Sequence, residues 1–210
     1  MSNTPIQVVA GLGNPGDEYE TTRHNAGFWF ADKLADRLNA SFSKDRNLNA
    51  LVAKTKVQGR DVFIIKPQTF MNRSGAAVAG LMRFYKLTPA QLLVAFDELD
   101  LLPGTAKMKL GGSSTHNGIK DIKAHLSTDQ WWRLRIGIGH PRSFGWTQEA
   151  ADFVLSKASR EHQAQIDASI DKALDVMPHV LAGDLTGAMK VLHTEPKPAA
   201  APLPPKSAAA

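Results

Sequence analysis

Four separated stretches of this 210-residue chain carry side chains suited to cleaving an ester with water. They are the loop from Gly13-Asn14-Pro15-Gly16 to Thr22-Arg23-His24-Asn25, then Thr69-Phe70-Met71-Asn72, Asp97-Glu98-Leu99-Asp100, and His116-Asn117-Gly118. The unperturbed pKa of histidine, near ~6.5, leaves neutral imidazole available at cellular pH to take a proton from water. His24 is therefore a candidate general base, although a histidine just ahead of an apolar helix often serves only as a cap or core hydrogen-bond partner. Asp97, at the end of an apolar strand, can accept from one ring nitrogen and leave the other to water; its ordinary alternative is a loop cap. Asn14, Asn72 and Asn117 each offer a donor and an acceptor, and three amides from separate segments can read a peptide main chain of any sequence. Turn asparagines also commonly bond only their own backbone.

Competing chemistries fit the residues less well. Ser74, Ser113 and Ser114 lie near these stretches, but none sits in a G-x-S-x-G elbow. His24, His116 and His125 lack an H-E-x-x-H or other recognised ligand spacing, so no metal and no cofactor is expected. Gly11-Leu12-Gly13-Asn14-Pro15-Gly16 satisfies the dinucleotide pattern G-x-G-x-x-G in form. That reading needs an acidic residue ending a second strand about 20 residues on, whereas Asp32 and Asp36 fall inside a helical pattern. A tight turn presenting Asn14 fits better.

The elements that must hold these groups are legible from periodicity. Residues 6–12, 92–96, 106–110 and 134–138 read as strands, and residues 51–57 and 62–65 as an antiparallel hairpin about Gln58-Gly59-Arg60-Asp61. Phe28, Phe30, Leu34, Ala35 and Leu38 recur at helical spacing over residues 26–38. Ser74 is placed to cap a helix through Tyr85, and another helix is expected over residues 119–126. Ile166, Ile170, Leu174, Met177 and Leu181 form one helix face packed on the sheet. Strands alternating with helices, plus a hairpin, imply an α/β single domain with a twisted mixed β-sheet flanked by helices. Ligands in such folds gather at strand C-terminal ends.

The length suits one domain, expected over residues 1–193, and the Pro/Ala-rich stretch 194–210 lacks core periodicity and is expected to be disordered. No apolar run approaches the ~20 residues that span a bilayer, and the first residues do not resemble a secretory signal, so the expectation is a cytoplasmic protein with no membrane association. Zero cysteines exclude disulfides and thiolate metal sites. A net charge of +5 favours a polyanionic partner. Lys107 and Lys109 alternate on one strand, as do Arg133 and Arg135 on another, and each pair shares a face; solvated sheet-edge charge is the alternative to phosphate contact.

With the chemistry-bearing segments in this order, residues 6–192 resemble bacterial-type peptidyl-tRNA hydrolases. The resemblance implies hydrolysis of the ester joining peptide to tRNA, releasing both for recycling after premature termination, by a cytoplasmic monomer that uses His-activated water. It implies His24 as base, Asp97 as the group stabilising its active form, and Asn14 as the discriminator of blocked from free aminoacyl ends. Tyr19, Phe70, Asn72, Asn117 and His116 match positions at the substrate's acceptor end. Lys109 and Arg135 match positions that grip tRNA phosphates, a patch that Lys120 and Lys123 would extend. Thr115 stands where the family form has glycine, so a left-handed backbone there would be strained. Two alternatives stay open: a noncatalytic RNA-binding protein on the same scaffold, and a general carboxylesterase.

Overall fold

The computed structural model describes residues 3–194. In chain order its strands are β1 (Val8–Gly11), β2 (Ser43–Asp45), β3 (Ala50–Val57), β4 (Arg60–Pro67), β5 (Leu92–Glu98), β6 (Ala106–Leu110) and β7 (Trp132–Gly137). The helices are α1 (Ala26–Arg37), α2 (Gly75–Phe84), α3 (Asn117–Leu126), α4 (Ala150–Val154), α5 (Arg160–Ala182) and α6 (Leu185–Leu192). Except for Thr194, the expected tail lies outside the described residues.

The strands form one mixed seven-stranded sheet in the order β2-β3-β4-β1-β5-β7-β6. Its centre is parallel, β1 against β4 and β5, and β5 against β7, while β2, β3 and β6 are antiparallel to their neighbours. Side-chain alternation divides the apolar residues between two cores. Val9, Ile64, Leu93 and Ala95 pack with Phe30 and Leu34 of α1 and with Ile166, Ile170 and Leu174 of α5. Val8, Ala10, Phe63, Ile65, Val94 and Phe96 pack with Val78 and Leu81 of α2 and with Ile119 and Ile122 of α3. The five apolar residues expected on one face of α5 are all buried.

Asp97 follows Leu93 and Ala95 at a period of two, so it shares the sheet face that α1 covers. Two glycines bring α1 close enough to matter. A Cβ at Gly27 would lie 2.4 Å from the Ala95 carbonyl oxygen, and one at Gly11 would lie 2.3 Å from that of Gly27. Helix and sheet therefore meet backbone to backbone, and the turn just before α1, which holds His24, lands beside the end of β5. This packing, rather than a pyrophosphate cradle, accounts for Gly11 in the dinucleotide-like pattern.

Three of the departures from expectation concern turns and caps. The hairpin turns on two residues, Gln58 (φ 51°) and Gly59 (φ 76°), and Arg60 and Asp61 join β4, because paired left-handed residues match strand twist. Ser74 does not cap α2: its backbone is already helical and its hydroxyl donates to the Met71 carbonyl at 2.8 Å. Asp121 of α3 accepts the Gly75 N–H instead, at 2.7 Å, satisfying that helix end from a neighbouring element. Thr115 is not among the described residues with positive φ; Gly111 (64°) and Gly112 (99°) take the left-handed positions, so the threonine carries no strain of that kind.

Candidate active site

The Asp97 carboxylate, almost wholly buried, is shared by two histidines. His24 Nδ1 lies 2.7 Å from Oδ2 and His116 Nε2 lies 2.8 Å from Oδ1. The His116 tautomer follows from its other nitrogen. Nδ1 accepts the Gly118 N–H at 3.1 Å as the cap of α3, so the proton sits on Nε2 and is donated to Asp97. An ionised carboxylate only accepts, so His24 donates from Nδ1 and its Nε2 is left as a lone-pair nitrogen with no hydrogen bond to the described residues.

Electrostatics reinforce this order. Burial pushes the Asp97 carboxyl up, but the charges of the two histidines and the hydrogen bonds from both outweigh it and hold the group well below the usual carboxylate range. Burial pushes the His24 imidazole down, but the Asp97 charge and hydrogen bond overcome that, leaving its pKa above the ordinary 6.5. His24, Asp97 and His116 also form the one group of potential metal ligands found among the described residues. The ligand atoms that face each other there are already paired as donor and acceptor, so an ion between them would have to displace both hydrogen bonds.

Asn14 is fixed by its neighbours. The Asn25 side chain accepts from the Asn14 N–H at 2.8 Å and donates to its carbonyl at 3.0 Å, while Asn14 Oδ1 accepts the Met71 N–H at 2.7 Å. The only amide group left to Asn14 is its Nδ2 donor, which has no hydrogen bond to the described residues. Asn14, Tyr19, His24, Phe70, Asn72 and Asn117 line one hollow of about 320 Å³. Tyr19 and Phe70 meet edge to face at 6.3 Å, and Phe70 is 60% exposed, so both present aromatic surface to an incoming ligand. His116, expected at the acceptor end, lies instead in the adjoining hollow with Asp97 and Glu98, both its ring nitrogens engaged by protein.

Lys109 and Arg135 line a third hollow, together with Arg133, Ser113, Ser114 and Thr115, and it shares Glu98 and Thr115 with the Asp97 hollow. Cross-strand register places Lys107 opposite Arg135 and Lys109 opposite Arg133, so four cations share the sheet face pointing away from the α5 core. Like charges directly opposed are unfavourable unless something anionic offsets them. Arg135 has a partner in Glu98, Nε to Oε1 at 2.8 Å. Arg133 is buried against the Trp131 ring at 4.1 Å, and burial lowers its pKa. Simple solvated edge charge describes Lys107 and Lys109 but not the arginines.

Sequence reasoning did not anticipate α4. Ala150, Ala151, Val154 and Leu155 wall the hollows around His24. Five residues give too little helical periodicity to be seen alone. The supporting role of Asn25 was also hidden, because its contact to Asn14 depends on the path of the loop between them.

Comparisons with known proteins show the family. The sequence profile of the peptidyl-tRNA hydrolase family matches residues 8–200. The chain is 56% identical over 191 residues to a peptidyl-tRNA hydrolase of Bordetella avium, covering 90% of this chain and 92% of that protein. It is 51% identical over 193 residues to that of Polynucleobacter asymbioticus, covering 90% and 98%. The crystal structure of peptidyl-tRNA hydrolase from Acinetobacter baumannii is similar with a TM-score of 0.85 at 41% identity, over 91% of this chain and 95% of that one. A peptidyl-tRNA hydrolase crystallised with n-propanol gives 0.86 at 40% identity, over 92% and 97%.

Proposed function

Since the chain belongs to the peptidyl-tRNA hydrolase family and hydrolyses peptidyl-tRNA, we propose that His24 Nε2 takes a proton from the water that attacks the ester carbonyl joining peptide to terminal ribose. The observation that carries this reading is the hydrogen bond that His24 Nδ1 donates to Asp97 at 2.7 Å, which leaves Nε2 unprotonated on the hollow's wall. Asp97 stabilises the imidazolium that forms. Asn14 Nδ2 donates to the developing oxyanion or to the last peptide carbonyl, and Asn72 and Asn117 engage neighbouring main-chain amides. Collapse of the tetrahedral species expels the ribose oxygen, which recovers the proton from His24. No metal takes part.

Selectivity for blocked ends follows from the same residues. A free aminoacyl ester brings an ammonium whose burial beside an amide donor is costly, whereas a peptidyl ester brings a neutral amide. His116 acts through Asp97 as a positioning residue. Tyr19 and Phe70 cover the acceptor end, and Lys109 and Arg135 hold RNA phosphates, with Lys120 and Lys123 beyond them. The protein works as a cytoplasmic monomer with residues 1–193 as its catalytic domain, and the products are reusable tRNA and free peptide.

The test is cleavage of N-acetylated and free aminoacyl-tRNA in EDTA by wild type and His24→Ala. The expected result is cleavage of the acetylated substrate alone, lost in a variant that still binds tRNA. Turnover surviving in His24→Ala removes the proposed base; inhibition by EDTA removes the metal-free route; tRNA binding without cleavage by wild type favours the noncatalytic reading.

A further inference from the structure

Arg23 precedes the proposed base in the same short turn, yet it points away from the substrate hollows and into protein. It is 3% exposed, has no carboxylate partner among the described residues, and burial lowers its pKa. Its guanidinium carbon sits 3.7 Å from the centroid of the Phe153 ring. Nη1 donates to the Phe153 carbonyl at 2.9 Å, to the Ser156 carbonyl at 3.3 Å and to the Ser156 hydroxyl at 2.7 Å. The Arg23 N–H donates to the Ser156 carbonyl at 3.2 Å, and Thr22 bridges to Lys157 in the antiparallel sense.

Every one of these contacts falls on α4 or the residues that follow it. A five-residue helix is too short to be stable by itself, and its N-cap, Glu149, makes no side-chain capping bond. Ala151 and Val154 of this segment line both hollows that contain His24. A buried cation balanced by carbonyl dipoles, one hydroxyl and one ring is an expensive way to fix a surface helix, and its placement sets the distance between the catalytic turn and the facing wall.

We infer that Arg23 is a positioning residue that pins the α4 wall to the His24 turn and thereby holds the substrate cleft at binding width. Planarity matters here: the guanidinium lies over the Phe153 ring while Nη1 reaches the Phe153 and Ser156 carbonyls and the Ser156 hydroxyl, a combination a lysine ammonium cannot reproduce. Loosening the clamp lets Ala151 and Val154 retreat. Contact with the bound peptidyl ester weakens while the hydrogen bond between His24 and Asp97 stays in place. The loss therefore falls on KM, and the pH dependence of kcat keeps its midpoint. This inference rests on His24 being the base, which the His24→Ala measurement tests separately through kcat.

Steady-state kinetics of Arg23→Lys and of the milder Ser156→Ala, with amide hydrogen exchange over residues 152–157, test it. For Arg23→Lys the expected result is a KM at least tenfold higher, kcat within about threefold of wild type with an unmoved pH midpoint, and faster exchange at Phe153 and Ser156. Ser156→Ala should show the same pattern, smaller in size. A lowered melting temperature with KM unchanged would reduce Arg23 to a structural role and overturn the proposal, as would a shifted pH midpoint. If Arg23→Lys fails to fold, an unchanged KM in Ser156→Ala overturns it.

Discussion

His24 and Asp97, far apart in sequence, meet at 2.7 Å because Gly11 and Gly27 allow α1 to start in backbone contact with the ends of β1 and β5. The second carboxylate oxygen is held by His116, whose own orientation is set by the Gly118 N–H.

That fixed orientation makes Asp97→Asn informative. His116 must donate from Nε2, so the new amide turns its oxygen toward His116 and its NH₂ toward His24 Nδ1. His24 then accepts at Nδ1 and carries its proton on Nε2, the wrong tautomer for a base. The expected outcome is a kcat lower by about 10³ to 10⁴ with tRNA affinity retained, read by single-turnover hydrolysis and a binding titration.

The pH profile should follow the direction of the His24 shift. The base works unprotonated, so kcat rises with pH through a midpoint above 6.5. In Asp97→Asn burial and the amide's donation to Nδ1 both favour neutral His24, so the midpoint of the residual activity should fall. Stability rises with pH as well, in a more acid range. The depressed Asp97 contributes stability that is complete above its unfolded value near 3.8 and is lost as pH falls below it toward the folded value. Acid titration of wild type should show that loss, and Asp97→Asn should show less of it.

Asn14→Asp separates the two ends of one amide. The aspartate still accepts the Met71 N–H but replaces the free Nδ2 donor by a carboxylate oxygen, so the loop should keep its shape while oxyanion or amide recognition is lost. Turnover of N-acetyl-aminoacyl-tRNA should fall by about 10², and discrimination against the free ammonium substrate should shrink. Unchanged discrimination would move that role away from Asn14.

Lys109→Ala and Arg135→Ala should raise KM with little change in kcat, and each should lower the slope of log affinity against log salt by about 1. Arg135→Ala also leaves Glu98 unpaired beside the Asp97 hollow, so its effect should exceed that of Lys109→Ala. Affinities measured at several salt concentrations distinguish lost phosphate contacts from lost fold.

Local periodicity marked six of the seven strands and four of the six helices among the described residues, because apolar residues at periods of two or near 3.6 favour strand or helix before any tertiary contact forms, whereas β2, α4 and α6 are too short to show one. The same reading marked β6 over Ala106–Leu110 and the buried face of α5, and it selected His24, Asp97 and the asparagines, since few residue types suit water activation and amide recognition. Tertiary structure decided what depends on loop paths and on neighbours distant in sequence. It placed His116 behind Asp97, left Nδ2 as the free group of Asn14, gave the capping of α2 to Asp121 rather than Ser74, and set α4 against the catalytic turn. A hydrogen bond tolerates only a few tenths of an ångström, so two chain segments must be packed into place to make it, and no spacing within one segment records where the other will arrive.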